Sequence, residues 1–121
     1  MKYLLDSNII IYYLNGDRDI KPFLEENKAI CSISLITYYE VLNYDFSIEE
    51  EKIVKNFLNE FEVISISKNI INKALINRKL KKIKMADNFI LATAQLFGLD
   101  LVTRNSKDFD FFIDNIFNPF I

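Results

Sequence analysis

The chain has 121 residues, half of them hydrophobic, and a formal net charge of −2; it holds two glycines, two prolines, one cysteine and no histidine. Without histidine there is no imidazole base, no Ser-His-Asp triad and no histidine-ligated metal, and one cysteine allows neither an intramolecular disulfide nor a cysteine-based zinc site. Gly16 and Gly98 stand too far apart to form a phosphate-cradling loop, so chemistry is left to carboxylates, lysines, arginines and hydroxyls.

Residues 2–5 read as a first strand. Ser7 or Asn8 can cap a helix running to Asn15, with Ile9, Ile10, Tyr13 and Leu14 as its buried stripe. Gly16-Asp17 is a turn, and Asp19 can cap a short helix with Pro22 in its first turn, ending near Asn27. Residues 29–33 form the second strand, with Cys31 as a small core residue. Ser34 starts a helix to about Tyr44 that carries Glu40. Ser47-Ile48-Glu49-Glu50 is a capping-box pattern opening a helix to about Glu60. Residues 62–66 are the third strand. Ser67 then opens a helix with Ile70, Ile71, Ala74, Leu75 and Leu80, ending in a basic run. Asp87 opens the next helix, apolar almost all round through Ile90, Leu91, Ala92, Ala94, Leu96 and Phe97 and so expected to be buried. Gly98 stops it. Residues 99–103 are the fourth strand, followed by a polar loop over 104–108. Ile116-Phe117-Asn118-Pro119 adds a short edge strand whose ladder Pro119 limits.

Strands separated by helices argue for a parallel sheet with right-handed crossovers. Near-continuous apolar strands such as AICSIS and LDLVT suit a sheet covered on both faces. The expected fold is therefore α/β, a small, mostly parallel sheet of about five strands between helical layers, folding as one domain over residues 1–121. No apolar run reaches 18 residues, and Asp6 comes too early for a signal peptide, so the expectation is a soluble cytoplasmic protein with no membrane contact.

In open α/β sheets ligands bind outside the carboxyl ends of the strands. Asp6 follows the first strand, Glu40 lies within two turns of a helix start, Asp87 opens a helix and Asp108 sits in the loop after the fourth strand. A parallel sheet would converge all four. Clustered carboxylates prefer hard cations such as Mg2+ or Mn2+, and without a cation their repulsion raises their pKa values. Each acid also has a plain structural reading: Asp6 and Asp87 as helix caps, Glu40 and Asp108 as solvated surface residues. Ser7 and Thr103 are candidate hydroxyls for orienting carboxylates; otherwise Ser7 caps a helix and Thr103 favours a strand.

The charge distribution says more than its sum. Arg78-Lys79-Leu80-Lys81-Lys82-Ile83-Lys84 holds five cations in seven residues and leads into Asp87, while residues 45–62 hold six acids against two lysines. A basic patch beside an acidic site would hold phosphates near a metal. The same run is also what the dipole favours at a helix C-terminus.

The stretches LLDSN, ITYYEVL, MADNFILATA and LVTRNSKDF, in this order and over nearly the whole chain, resemble the PIN-domain ribonucleases, and among them the VapC-like toxins of toxin–antitoxin pairs. The resemblance implies a PIN-like three-layer fold and a Mg2+- or Mn2+-dependent endoribonuclease. Asp6, Glu40, Asp87 and Asp108 would then be catalytic and hold metal, with Arg78, Lys79, Lys81, Lys82 and Lys84 on the RNA substrate. It also implies two protein partners, a cognate antitoxin and a second copy of the chain. In the family an acid commonly follows the Thr-Arg pair directly. Here that place holds Asn105, and Asp108, with Asn105 assisting, is the expected fourth position ahead of Asp110. The alternative is a PIN-fold RNA-binding or protein-interaction module without catalysis, its acids structural. Phe109, Phe111, Phe112, Phe117 and Phe120 crowd the tail and are expected as core and edge cover.

Overall fold

The computed structural model describes residues 1–120. Five strands form one sheet: β1 (Tyr3–Leu5), β2 (Cys31–Ser34), β3 (Glu62–Ile64), β4 (Asp100–Val102) and β5 (Ile116–Phe117), in the order β3-β2-β1-β4-β5. Every neighbouring pair is parallel. Six helices connect them: α1 (Ser7–Leu14), α2 (Ile20–Asn27), α3 (Leu35–Leu42), α4 (Ile48–Leu58), α5 (Lys68–Leu80) and α6 (Met85–Phe97). After β1 the chain builds the sheet outward through β2 and β3, then crosses back to lay β4 against the other edge of β1. The winding reverses at β1, and such a reversal opens a crevice at the carboxyl ends of β1 and β4.

The alternation of strand side chains makes three layers. Leu5 and Val102 face one cluster with Ile9, Ile10, Leu24 and Leu58 of α1, α2 and α4. Leu4 and Leu101 face the other with Ile70, Ala74, Ile90 and Leu91 of α5 and α6. Burial of such a leucine is worth about 1.5–3 kcal/mol, so a slip of one residue in β1 would forfeit both faces at once. Helix α3 packs against α1, α4 and α6, giving Val41 to the first cluster and Ile36 to the second. It thereby carries Glu40 toward the sheet end where β1 and β4 stop.

Several boundaries differ from expectation. Lys28–Ile30 form a 3-10 turn, so β2 starts at Cys31, and β3 ends at Ile64. Helices α3 and α4 stop at Leu42 and Leu58. Ser47 and Glu50 close the capping box reciprocally, and Ser34 and Ser67 cap α3 and α5. Asp19 flanks α2 without a side-chain cap bond, and Ser7 is the first residue of α1 rather than its cap. Helix α6 begins two residues early: Lys84 is its N-cap and Asp87 lies in its first turn. It is buried on Asn88 and from Ile90 to Ala94, but Leu96 and Phe97 are exposed. Leu75 and Leu80 of α5 and Leu14 of α1 are exposed as well. The stripe of α5 that faces the core is Ile70, Ala74 and Asn77. Gly98 takes the left-handed conformation (φ 62°) that ends α6. Cys31 is a buried free thiol whose pKa burial pushes up to about 11. Of the tail phenylalanines, Phe109 is core, Phe120 packs on Tyr12, and Phe111 and Phe117 are exposed.

Candidate active site

Asp6 is the residue at which β1 becomes α1. Its backbone N–H donates to the carbonyl of Val102 at 2.9 Å, so the β1–β4 ladder continues one residue beyond β1 and sets the Asp6 carboxylate over the crevice. The side chain makes no helix-capping bond and is only 4% exposed. Its partner is Thr103, fully buried just past β4, whose hydroxyl donates to Asp6 Oδ2 at 2.8 Å. The Thr103 hydroxyl in turn accepts from the backbone N–H of Asn105 at 3.0 Å. Asn105 thus acts on this site through its backbone, and its exposed side chain is not what steadies Thr103.

Ser7 mirrors this on the other side. Its buried hydroxyl lies 2.5 Å from Glu40 Oε1 and 3.1 Å from the hydroxyl of Thr37. A hydroxyl has one proton to give; given to Glu40, it leaves Ser7 to accept from Thr37. Thr37 is a site residue that the sequence reading misses. It sits three residues before Glu40 on α3, on the same face of the helix, and that spacing is the available signal.

Asp87 reaches the same region from the first turn of α6, half-buried. Asp108 closes the 3-10 turn Ser106–Asp108, its own N–H donating to the Asn105 carbonyl at 3.0 Å, and is exposed. The electrostatics link the four acids. Burial raises the Asp6 carboxyl to about 6, the hydrogen bond from Thr103 opposes that rise, and the charges of Asp87 and Glu40 add to it. Asp87 is raised by its own burial and then by Asp108 and Glu40, while Lys84 pulls it down. Four separate segments thus place carboxylates within range of one another's fields. They do not form a closed cage: among the described residues, no three acids stand close enough to grip one ion. Two of the four, Asp6 and Glu40, are held by hydroxyls, and the like charges around Asp6 and Asp87 raise both carboxyls further.

The basic run divides between three settings. Arg78 and Lys79 are exposed in the last turn of α5, Lys81 and Lys82 are exposed in the bend beyond it, and Lys84 is the N-cap of α6. Lys81 Nζ lies 5.1 Å from the centre of the Phe111 ring. The ion pairs among the described residues are Lys21–Glu25 and Lys28–Glu60, so the run is not consumed by pairing. Lys84 reverses the usual chemistry of a helix start, where Ser, Thr, Asp or Asn would be worth about 1 kcal/mol and a cation opposes the dipole. Two further features bear on partners. A groove of about 530 Å3, lined by Ile11, Leu14, Val41, Phe46 and Ile53, runs between α1, α3 and α4 up to Glu40. No helix among the described residues is long and apolar enough to cross a membrane.

An all-parallel sheet in this order, with acids gathered at its reversal point, defines a class. The PIN domain family profile matches residues 3–111, and the chain belongs to that family. Its similarity runs to the VapC-type members. It is 32% identical to Ribonuclease VapC1 of Methanocaldococcus jannaschii over 114 residues, 90% of this chain and 79% of that protein. A chain of a toxin–antitoxin complex from Klebsiella pneumoniae superposes with a TM-score of 0.88 at 38% identity, covering 98% of each chain. VapBC2 from Rickettsia felis, solved bound to a DNA fragment from its promoter, superposes at 0.76 with 25% identity over 96% of each chain.

Proposed function

We propose that this protein is a VapC-type endoribonuclease, the toxin of a toxin–antitoxin pair, cleaving RNA phosphodiester bonds with Mg2+ or Mn2+ at Asp6, Glu40, Asp87 and Asp108. The observation that carries the reading is Asp6 itself. A carboxyl 4% exposed, raised to about 6 and facing other acids, is an expensive thing to bury, and its side chain makes no helix-capping hydrogen bond that would account for it. The donor set fits a hard divalent cation: it is all carboxylate oxygen, without a histidine or thiolate at hand. A bound cation would neutralise these acids and the charge that develops on the phosphate, and would activate water for attack.

The chain's own groups do the rest. Thr103 and Ser7 each give a proton to one carboxylate, Asp6 and Glu40 respectively, and so fix which oxygens remain free. Lys84 stands beside Asp87 with the exposed cations of the run behind it, a track that suits the phosphates flanking the one attacked. Asp87 gains from the positive end of α6 as a charge. The apolar groove beside Glu40 suits a segment of the cognate antitoxin, which would cover the acids as it docked. The reading includes a homodimer and a cytoplasmic setting.

A second reading has one observation in its favour. The acids do not grip an ion as they stand, as in a PIN-fold module that binds RNA or protein without cutting. Incubation of single-stranded RNA with the purified protein, in Mn2+ and in EDTA, separates the two. The ribonuclease reading expects Mn2+-dependent cleavage that Asp6→Ala abolishes, together with growth arrest on induction that Asp6→Ala relieves. Intact RNA in Mn2+ at high enzyme concentration, with normal growth and abundant wild-type protein, would overturn it.

A further inference from the structure

Helices α5 and α6 are joined by something other than apolar contact. Asn77, on the core-facing stripe of α5, is 1% exposed, and Asn88 of α6 is 6% exposed. Asn77 Nδ2 donates to Asn88 Oδ1 at 3.1 Å and to Gln95 Oε1 at 2.8 Å. Asn88 Nδ2 donates back to the carbonyl of Ala74 in α5 at 2.7 Å. Bonds cross the interface in both directions, and they hold α6 at Asn88 and again at Gln95, two helical turns away. Apolar packing is non-directional and tolerates sliding and rolling, whereas amide bonds at two levels fix both motions. Leucine at these places would serve packing alone, since a buried polar network is of use only where every member is satisfied and a unique arrangement is required. No buried side-chain polar atom among the described residues lacks a partner, so this network is complete.

What the network aligns stands next to it. Asp87 immediately precedes Asn88, about 100° around the same helix, and the basic run leaves the end of α5 to re-enter α6 at Lys84. We propose that the buried amides of Asn77 and Asn88, with the half-buried amide of Gln95, are positioning groups that set the roll and register of α6 on α5, and so hold the Asp87 carboxylate where it completes the cation site. This rests on the ribonuclease reading for its purpose, but its first readout does not need RNA. Asn77→Leu leaves the Asn88 and Gln95 acceptors without their donor. Asn77→Leu with Asn88→Leu replaces both buried amides by apolar groups, which can restore stability because the two amides leave together and the half-buried Gln95 side chain can turn to water.

The test uses the full chain and Mn2+ alone as probe. Thermal melts in EDTA should show Asn77→Leu less stable than wild type and the double variant largely recovered. Titration of the melting temperature with Mn2+ should nonetheless show the double variant needing about 10–100-fold more Mn2+ for the same rise, the range for partners that orient ligands. RNA cleavage should fall by a similar factor in kcat, with RNA affinity in EDTA unchanged. A double variant that regains stability and keeps the wild-type Mn2+ response would overturn the proposal and leave the network as packing. Gln95→Leu, at the half-buried end, keeps the question open to an answer if the double variant does not fold. It should weaken the Mn2+ response severalfold in a folded protein, and an unchanged response there overturns the proposal too. A wild type that responds to Mn2+ but leaves RNA intact sinks the ribonuclease reading alone; a wild type blind to Mn2+ sinks both.

Discussion

Thr103 and Asp6 stand 97 positions apart in the chain and are joined by a hydrogen bond of 2.8 Å between two buried side chains. The bond ties the end of β1 to the end of β4 and is the main interaction opposing the rise in the Asp6 carboxyl that burial causes. Thr103→Val keeps the shape of the side chain and removes the donor. A hydrogen bond to a charged group is worth about 1.5–3 kcal/mol, so ionised Asp6 loses that support. Its carboxyl should move above the present value of about 6, and the acid limb of the pH–rate profile should shift to higher pH. An unshifted limb would mean that Asp6 does not govern the reaction.

The same carboxyl sets a stability signature. Asp6 has a folded pKa of about 6 against 3.8 for the ordinary group, so between those values the folded state binds the extra proton. Stability of the metal-free protein should therefore fall as pH rises through that window, by about 3 kcal/mol from this group at 1.36 kcal/mol per pH unit. This group's contribution should be fully lost above about pH 6 and recovered below about pH 4. Asp6→Asn has no such proton to lose. Chemical denaturation of both proteins in EDTA at pH 4.5 and pH 7.5, values that bracket most of the window, should show the variant gaining on wild type as pH rises. Parallel pH dependence in the two would contradict the assignment of the strain to Asp6.

The basic run can be tested apart from the acids. Replacing Lys79, Lys81 and Lys82, all exposed, by Ala should weaken RNA binding. It should also flatten the salt dependence, by about 0.7 in log–log slope for each single-strand phosphate that is no longer neutralised. The Mn2+ response should be spared. An unchanged slope would return the run to a solvated helix end.

The fourth acid has two candidates. The charge of Asp108 raises Asp87, and Asp108 ends the 3-10 turn that begins directly after Asn105, whose N–H steadies Thr103. Asp110 is also exposed. Asp108→Asn should lower kcat by at least about tenfold, the scale of a missing ligand or orienting partner, and Asp110→Asn should not. Comparable rates for wild type and Asp108→Asn, with loss in Asp110→Asn, would reverse the assignment.

The order of elements was legible because short apolar runs such as YLL, CSIS and DLV alternate with capped helices, and Ser34, Ser47 and Ser67 cap where their spacing says they should. The start of α6 was not. Asp is favoured both as a cap and in the first turn, so the sequence cannot say which Asp87 is, and a lysine cap breaks the usual rule. Leu14, Leu96 and Phe97 were expected to be buried and are exposed; an apolar pattern shows which face is apolar but not whether a neighbour extends far enough to cover it. The acids could be named singly from their places after strands and at helix starts. Asn77 and Asn88 could not, because a buried polar residue is recognised by its partner and each has its partner on the other helix; Thr37 is signalled only by its place three residues before Glu40.

The most direct test of the account is Asp87→Asn. The substitution keeps the shape, loses the favourable interaction with the start of α6, about 0.3–1 kcal/mol, and relieves the burial of a charge and the repulsion from Asp108 and Glu40, which together raise this carboxyl. Thermal melts of wild type and variant, each in EDTA and in Mn2+, decide between the two effects. If Asp87 belongs to a cation site, the variant melts higher than wild type in EDTA. It also loses most of the Mn2+-induced rise, because that rise comes from binding to the folded state alone, and it does not cleave RNA. A variant that melts lower in EDTA and keeps the full Mn2+ rise would contradict the account, and Asp87 would be a first-turn residue of α6 and nothing more.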